Sequence, residues 1–261
     1  MPPNIIVNKS KGTIKRVSMF LWGLPGCGKT HFANTAPGKR LWINFDPDGT
    51  SALAYSEDTL VLDYSAETLG YMEQCKTMNP FDLDSILKND PSIQTVVIDS
   101  VSRFVSNAVQ FSIGRAPGAT FENPGPAGYG FRNRFTIGLV NGVLIATGKH
   151  NKHVIFIGHE GQPQTNESGV IQAISILLGG DLQVTVPQQI SEVWRMTDNG
   201  LERRVTVRQI GLAKPMKTRM FDTTSGYDFI ASNKVNASKV DLAVLFKEWQ
   251  DGNYEKLKLP T

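Results

Sequence analysis

The sequence predicts an α/β fold, a mainly parallel sheet with helices on both faces, and three observations predict it. Gly23–Thr30 reads Gly-Leu-Pro-Gly-Cys-Gly-Lys-Thr, a complete G-x-x-x-x-G-K-[ST] loop between an apolar run and a helix-forming segment. Apolar runs of strand length alternate with helical patterns up to about residue 160, the order that parallel strands require. From Ile190 the period changes to that of a β-hairpin, so antiparallel strands follow the parallel core.

The first strand is Val17-Ser-Met-Phe-Leu-Trp22, and His31–Thr35 continues a helix out of the loop. Arg40–Phe45 is a second strand, closed by the turn residues of Asp46-Pro-Asp-Gly49. Helical patterns follow around Ala66–Thr77 and Phe81–Lys88. Thr95-Val-Val-Ile-Asp99 is a strand of the buried type ending in an acid, and Val101–Phe111 is the next helix. Ile113–Gly130 is so rich in Gly and Pro that it is expected to be a long loop, before a helix over Phe131–Thr147. Val154–Gly158 is another buried strand, ending at His159-Glu160, and Gly161–Gln189 is expected to be a second polar loop. Ser191–Thr197 and Leu201–Ile210 form the hairpin around Asn199-Gly200. A last helical pattern covers Val240–Trp249. The expected domains are a basic arm over 1–14 leading to Lys15 and Arg16, a core over 15–222 that holds the loop, and a tail with one helix over 223–261.

Composition excludes several classes. The 261 residues have ordinary Gly, Pro and charge contents, so wholesale disorder is not expected. No run approaches the roughly 20 apolar residues of a membrane span, and the first residues lack a signal-peptide core, so a soluble cytoplasmic protein is expected. Cys27 and Cys75 are the only cysteines and Cys27 lies in the loop, which argues against a structural disulfide. The net charge of +3 does not by itself diagnose a nucleic-acid partner. The charge is uneven, however: Arg203, Arg204, Arg208, Lys214, Lys217 and Arg219 form a basic strip without an acid, either a binding surface or a solvated hairpin face.

The chemistry is concentrated in the loop. Its glycines let the backbone N–H groups of Gly23, Leu24, Pro25, Gly26, Cys27, Gly28, Lys29 and Thr30, Pro25 excepted, converge on phosphate oxygens. Lys29 reaches the β- and γ-phosphates and the Thr30 hydroxyl ligates Mg²⁺, so ATP and Mg²⁺ are the expected ligands. Asp99, about 70 positions on, is the acid of a Walker B strand and holds the Mg²⁺ shell directly or through water. Asp48 is the candidate for orienting or deprotonating water, because the carboxyl end of its strand faces the ligand in such sheets. Asp46, two residues earlier, competes for that role.

This order of motifs resembles the RecA/Rad-type recombinase core over roughly residues 15–222, and more narrowly the small phage ATPases of that type associated with single-strand annealing. The resemblance implies a RecA-like P-loop fold. It implies that Asp48 stands where the family keeps a catalytic Glu, that His159 senses the γ-phosphate, and that Lys217 and Arg219, with Lys214 weaker, reach a neighbouring subunit's γ-phosphate. It also implies two DNA-contacting loops. Arg115, Tyr129, Phe131, Arg132 and Arg134 give the first of them cations for phosphates and aromatics for base stacking. The second has no Lys or Arg between Gly161 and Gln189, only amides such as Gln162, Gln164, Asn166, Gln172 and Gln183.

The expected function is therefore that of an ATP-binding and ATP-hydrolysing, single-stranded-DNA-binding protein of phage-type recombination or annealing. It would act as a ring or filament, with a single-strand-binding protein as a further partner, no membrane, and the host cytoplasm as location. A nucleotide-gated assembly or packaging module with little hydrolysis, and a P-loop small-molecule kinase, are alternatives from the same motif.

Overall fold

A computed structural model of the chain describes residues 16–47, 49–53, 56–66, 69–76, 79–120 and 122–260. The basic arm with Lys9, Lys11 and Lys15, and the candidate Asp48, lie outside the described residues. Ten strands are described: β1 (Ser18–Gly23), β2 (Lys39–Asn44), β3 (Thr59–Asp63), β4 (Ile93–Asp99), β5 (His153–His159), β6 (Gln164–Thr165), β7 (Ile171–Ala173), β8 (Glu192–Asp198), β9 (Glu202–Thr206) and β10 (Asp228–Asn233). The helices are α1 (Lys29–Ala33), α2 (Leu83–Asn89), α3 (Val101–Ser112), α4 (Gly125–Lys149), α5 (Leu182–Gln188) and α6 (Leu242–Asp251).

Eight strands form one sheet in the order β10-β9-β8-β1-β5-β4-β2-β3. The six from β8 to β3 run parallel, and β9 and β10 are antiparallel at one edge. The predicted fold class is thus met. The parallel strands are apolar throughout because both faces are covered. In β1 the alternation sends Phe20 and Trp22 to one core and Met19 and Leu21 to the other. The first core includes Phe104 and Phe111 of α3, Leu139 and Val143 of α4, and Val186 of α5. The second includes Phe32 of α1 and Leu245, Phe246 and Trp249 of α6.

Several elements differ from expectation. The segment 113–130 is not wholly loop, since α4 begins at Gly125. Proline early in a helix presets φ and gives up only an N–H that would lack a partner anyway. Gly128 is needed for packing, because a Cβ there would lie 2.8 Å from the Pro124 Cβ and 3.0 Å from the Ser112 Oγ. Close packing thus overrides the low helix propensity of these glycines. The second expected loop holds the β6–β7 pair and α5, whose Leu182 and Val186 bury one face at i, i+4 spacing. The helical pattern around 66–77 is a 3₁₀ stretch over Leu69–Lys76 where described. Strands β3 and β10 were not foreseen, and the residues beyond 222 join the main structure through β10 and α6. Among the described residues no helix is long and apolar enough to cross a membrane.

His153 opens β5 as a buried acceptor, its Nδ1 taking a hydrogen bond from the Val17 N–H at 3.0 Å. Burial, and then the nearby positive charge of Arg16, push its pKa from 6.5 down to about 4. The folded chain therefore takes up this proton later than the unfolded chain, so the contribution is complete above pH 6.5 and is lost as pH falls towards 4. Between pH 7 and pH 5 urea unfolding is expected to show a loss of about 2 kcal/mol from this group. His153→Asn, which keeps an acceptor but cannot titrate, should flatten that part of the profile; an unchanged slope would assign the pH dependence to other groups.

Candidate active site

Strand register builds the site. Gly23 at the end of β1 pairs with His159 at the end of β5, and Asp99 at the end of β4 pairs with Asn44 of β2, two residues before Asp46. The carboxyl ends of four adjacent parallel strands thus present the loop, Asp46, Asp99 and His159 to one cavity of about 500 Å³.

Gly26 at φ +78° and Gly28 at φ +96° give the loop a conformation that a side chain would strain. Lys29 is buried, and its Nζ donates to the carbonyls of Gly23 at 3.0 Å and Leu24 at 2.8 Å. These contacts hold the ammonium over the loop, where a phosphate oxygen would compete for it. Cys27 is buried beneath, and burial raises its thiol pKa.

The Thr30 hydroxyl donates to Asp99 Oδ2 at 3.0 Å, joining the loop to the Walker B strand. Burial pushes Asp99 up to about 6, and the negative charge of Asp46 adds to it, against the Thr30 hydrogen bond and the charges of His159 and Lys29. A hydroxyl beside a carboxylate short of positive charge is a donor set that fits Mg²⁺. Asp46 behaves differently. Burial raises its pKa, but the hydrogen bond and charge of His159, a hydrogen bond from Ser100 and the charge of Arg103 outweigh this and hold it below the usual carboxylate value. His159 Nε2 lies 3.2 Å from Asp46 Oδ2, while the His159 N–H donates to the Ser102 Oγ at 2.9 Å.

The structure therefore brings together the loop residues, Asp99 and His159 as expected from sequence, with Asp46 beside them. Lys217 and Arg219 do not line this cavity among the described residues. Lys217 Nζ donates to the Gln188 carbonyl at 3.2 Å, and the Arg219 N–H donates to the buried Glu192 Oε1 at 2.8 Å, on the far side of β8 from β1. The five DNA candidates also lie elsewhere. Phe131, Arg132 and Arg134 lie in the first turns of α4, within the expected helix, and Tyr129 lies there too, a correction to its placement in the loop over 113–130. Arg132 packs over Tyr129 at 4.9 Å, Arg134 over Phe131 at 5.0 Å, and Arg115 over Phe111 at 3.9 Å. Arg203 was noted in sequence only as part of the basic strip, yet it lines the cavity. Its role was illegible because the distance from the loop in sequence gives no hint that β9 folds back over Gly28.

Loop, paired Thr30 and Asp99, and the parallel sheet together define a P-loop nucleotide-binding ATPase domain. The chain belongs to the family described as the AAA domain, whose model matches residues 15–235. No curated protein sequence matches it. Among solved structures it is similar to the crystal structure of the RadB recombinase, with 14% identity, coverage of 73% of this chain and 79% of that chain, and a TM-score of 0.42.

Lys29→Ala is expected to abolish binding of a fluorescent ATP analogue while leaving the far-UV spectrum unchanged. Retained binding would show that the loop does not carry the phosphates.

Proposed function

We propose that the protein binds ATP with Mg²⁺ and hydrolyses it in a reaction coupled to single-stranded DNA, acting as an oligomer in recombination or annealing of the phage type. The observation that carries the ATPase part is the convergence of Lys29, Thr30, Asp99, Asp46 and His159 on one cavity at the ends of adjacent strands.

In this reading the Thr30 hydroxyl and Asp99 hold Mg²⁺, which supplies positive charge against the triphosphate. Lys29 binds the β- and γ-phosphates. Asp48 takes the proton of the attacking water as its oxygen bonds to the γ-phosphorus and the bond to the β-bridging oxygen breaks, leaving ADP and phosphate. Asp46 holds His159, and His159 reports the γ-phosphate to the segment after β5. Lys217 and Arg219, turned away from their own cavity, serve the neighbouring subunit. A cation there stabilises charge in the transition state and makes turnover depend on assembly.

Support for DNA coupling comes from how the two expected contact regions meet. Arg132 packs so tightly on the second that a Cβ at Gly179 would lie 2.7 Å from its guanidinium. The first turns of α4 and the segment before α5 thus lie together, with Arg132 over the exposed Tyr129 ring, a chemistry suited to phosphates and stacked bases.

Two measurements test this. ATP hydrolysis should rise with single-stranded DNA at low salt and lose that stimulation as salt rises, because phosphate contacts release counterions; slow turnover indifferent to DNA would favour a nucleotide-gated assembly module. Asp48→Ala should leave ATP binding intact and lower hydrolysis about 10²-fold or more, the scale of a lost general base. If Asp46→Asn has that effect and Asp48→Ala does not, the base is Asp46.

A further inference from the structure

A cavity of about 290 Å³ lies between α5, β7 and the segment 209–217, and it shares no lining residue with the phosphate cavity. Its surface is mostly apolar. Ala173 of β7, Val193 of β8 and Met216 are buried and form the floor, with Val184 and Pro187 of α5 and Pro215 as walls. Lys214 and Lys217 stand at its edge, and among the described residues no acid and no aromatic residue lines it. From this pairing of apolar floor and cationic edge we propose that the cleft docks a partner protein through an acidic peptide segment. The segment lays one large apolar side chain into the cavity and its carboxylates on the lysines.

The lysines are not spent within the chain. Lys217 Nζ donates to the neutral Gln188 carbonyl at 3.2 Å, and Lys214 is exposed. Glu192, whose charge acts on Lys217, is buried and already accepts from the Trp194 indole at 3.0 Å, the Thr218 hydroxyl at 2.6 Å and the Arg219 N–H at 2.8 Å. Carboxylates from outside would therefore meet two cations that no carboxylate of the lining neutralises, and this attraction selects and steers the partner. Affinity comes from the apolar anchor. Val184 is 57% exposed, and apolar surface continues along the segment 209–217 at Ile210 and Leu212, 41% and 47% exposed. Contiguous apolar side chains in water beside a cavity mark a docking surface.

The cleft is preformed, so little ordering is needed on binding. The Ile174 N–H donates to the Leu212 carbonyl and the Lys214 N–H to the Ile174 carbonyl, both at 2.9 Å, and Val193 and Lys217 exchange N–H···O bonds of 2.9 and 3.0 Å. The Trp22 indole holds the Pro215 carbonyl at 3.2 Å. Met216 on the floor adapts to the shape of an incoming side chain. Two other occupants fit less well. The arm over 1–15 carries Lys9, Lys11 and Lys15 and no acid, so the edge repels it in this copy or a second one. A single nucleic-acid strand would find cations here but no aromatic ring on which to stack a base.

The experiment probes the labelled full-length chain against arrayed ten-residue peptides, each with one central Leu, Met, Phe or Trp flanked by Asp and Glu, by Ser, or by Lys. Peptides with acidic flanks should bind, and changing their central residue to Ser should weaken binding about 10-fold or more, the scale of a lost anchor. The best peptide is then titrated by fluorescence polarisation. Val184→Asp and Lys214→Glu, both at exposed positions, should each weaken it about 10-fold at low salt, while Val184→Leu retains binding and the far-UV spectra stay unchanged. The proposal is overturned if Ser or Lys flanks bind as well as acidic ones, if no acidic peptide binds, or if binding survives both variants. Loss of oligo(dT) binding in both variants, with no acidic peptide bound by the wild type, would instead make the cleft a nucleic-acid contact. No nucleotide is needed, so failure here leaves the ATPase reading untouched.

Discussion

The hydrogen bond from Thr30 to Asp99 spans 69 positions of sequence and joins the two halves of the site. Around it lies a physical conflict: two carboxylates, Asp46 and Asp99, facing one cavity with burial against both. Ionised carboxyl groups so placed cost free energy unless cations or donors face them. Asp46 is satisfied inside the protein, by His159, Ser100 and Arg103. Asp99 has the Thr30 hydrogen bond and the charges of His159 and Lys29, yet burial and the charge of Asp46 outweigh them and raise its pKa. The two acids thus differ in their surroundings: Asp46 is paired with His159 at 3.2 Å, and in the proposed reading Asp99 receives the cation.

Much of this was legible because it is local. The loop needs a fixed spacing of Gly, Lys and Thr, and β4 announces itself as an apolar run that stops on an acid. The approach of His159 to Gly23 follows once both runs are accepted as neighbouring parallel strands. What failed to show was set by packing at long range. Gly125–Gly130 holds three glycines that disfavour a helix against one alanine and an early proline that favour it, and α4 begins there with Gly128 allowing the chain to approach Ser112 of α3. Strand β3 lies at an edge, with Leu60 and Val61 partly exposed, so it lacks the continuous burial that marks the central strands. Arg203 reads as one cation among six, and only the return of β9 alongside β8 places it over Gly28.

The same return ties the basic strip to the nucleotide end of the sheet. Glu160, next to His159, receives two hydrogen bonds from Arg195 of β8, at 2.9 and 3.1 Å, and its own N–H donates to the Gly23 carbonyl at 3.0 Å. Arg195 lies over the Trp22 ring at 5.5 Å, and the Trp22 indole donates to the Pro215 carbonyl at 3.2 Å. Glu192 holds the following residues through the Thr218 hydroxyl at 2.6 Å and the Arg219 N–H at 2.8 Å. The segment carrying Lys217 and Arg219 is thereby anchored on one side to β1, which leads into the phosphate loop, and on the other to β8.

That anchoring bears on how a catalytic cation could act between subunits. A long flexible side chain on a loose loop would spend much of any contact energy on ordering itself. Here the backbone at Arg219 is fixed by the buried Glu192, and Lys217 is locked into pairing with Val193 by N–H···O bonds of 2.9 and 3.0 Å. In the proposed assembly only the Arg219 side chain would remain to be ordered, and Lys217 would exchange its hydrogen bond to the Gln188 carbonyl. Burial and then the charge of Arg219 lower the Lys217 pKa against the raising charge of Glu192, so the two cations sit close enough to feel one another while a buried anion of the same chain offsets part of that repulsion.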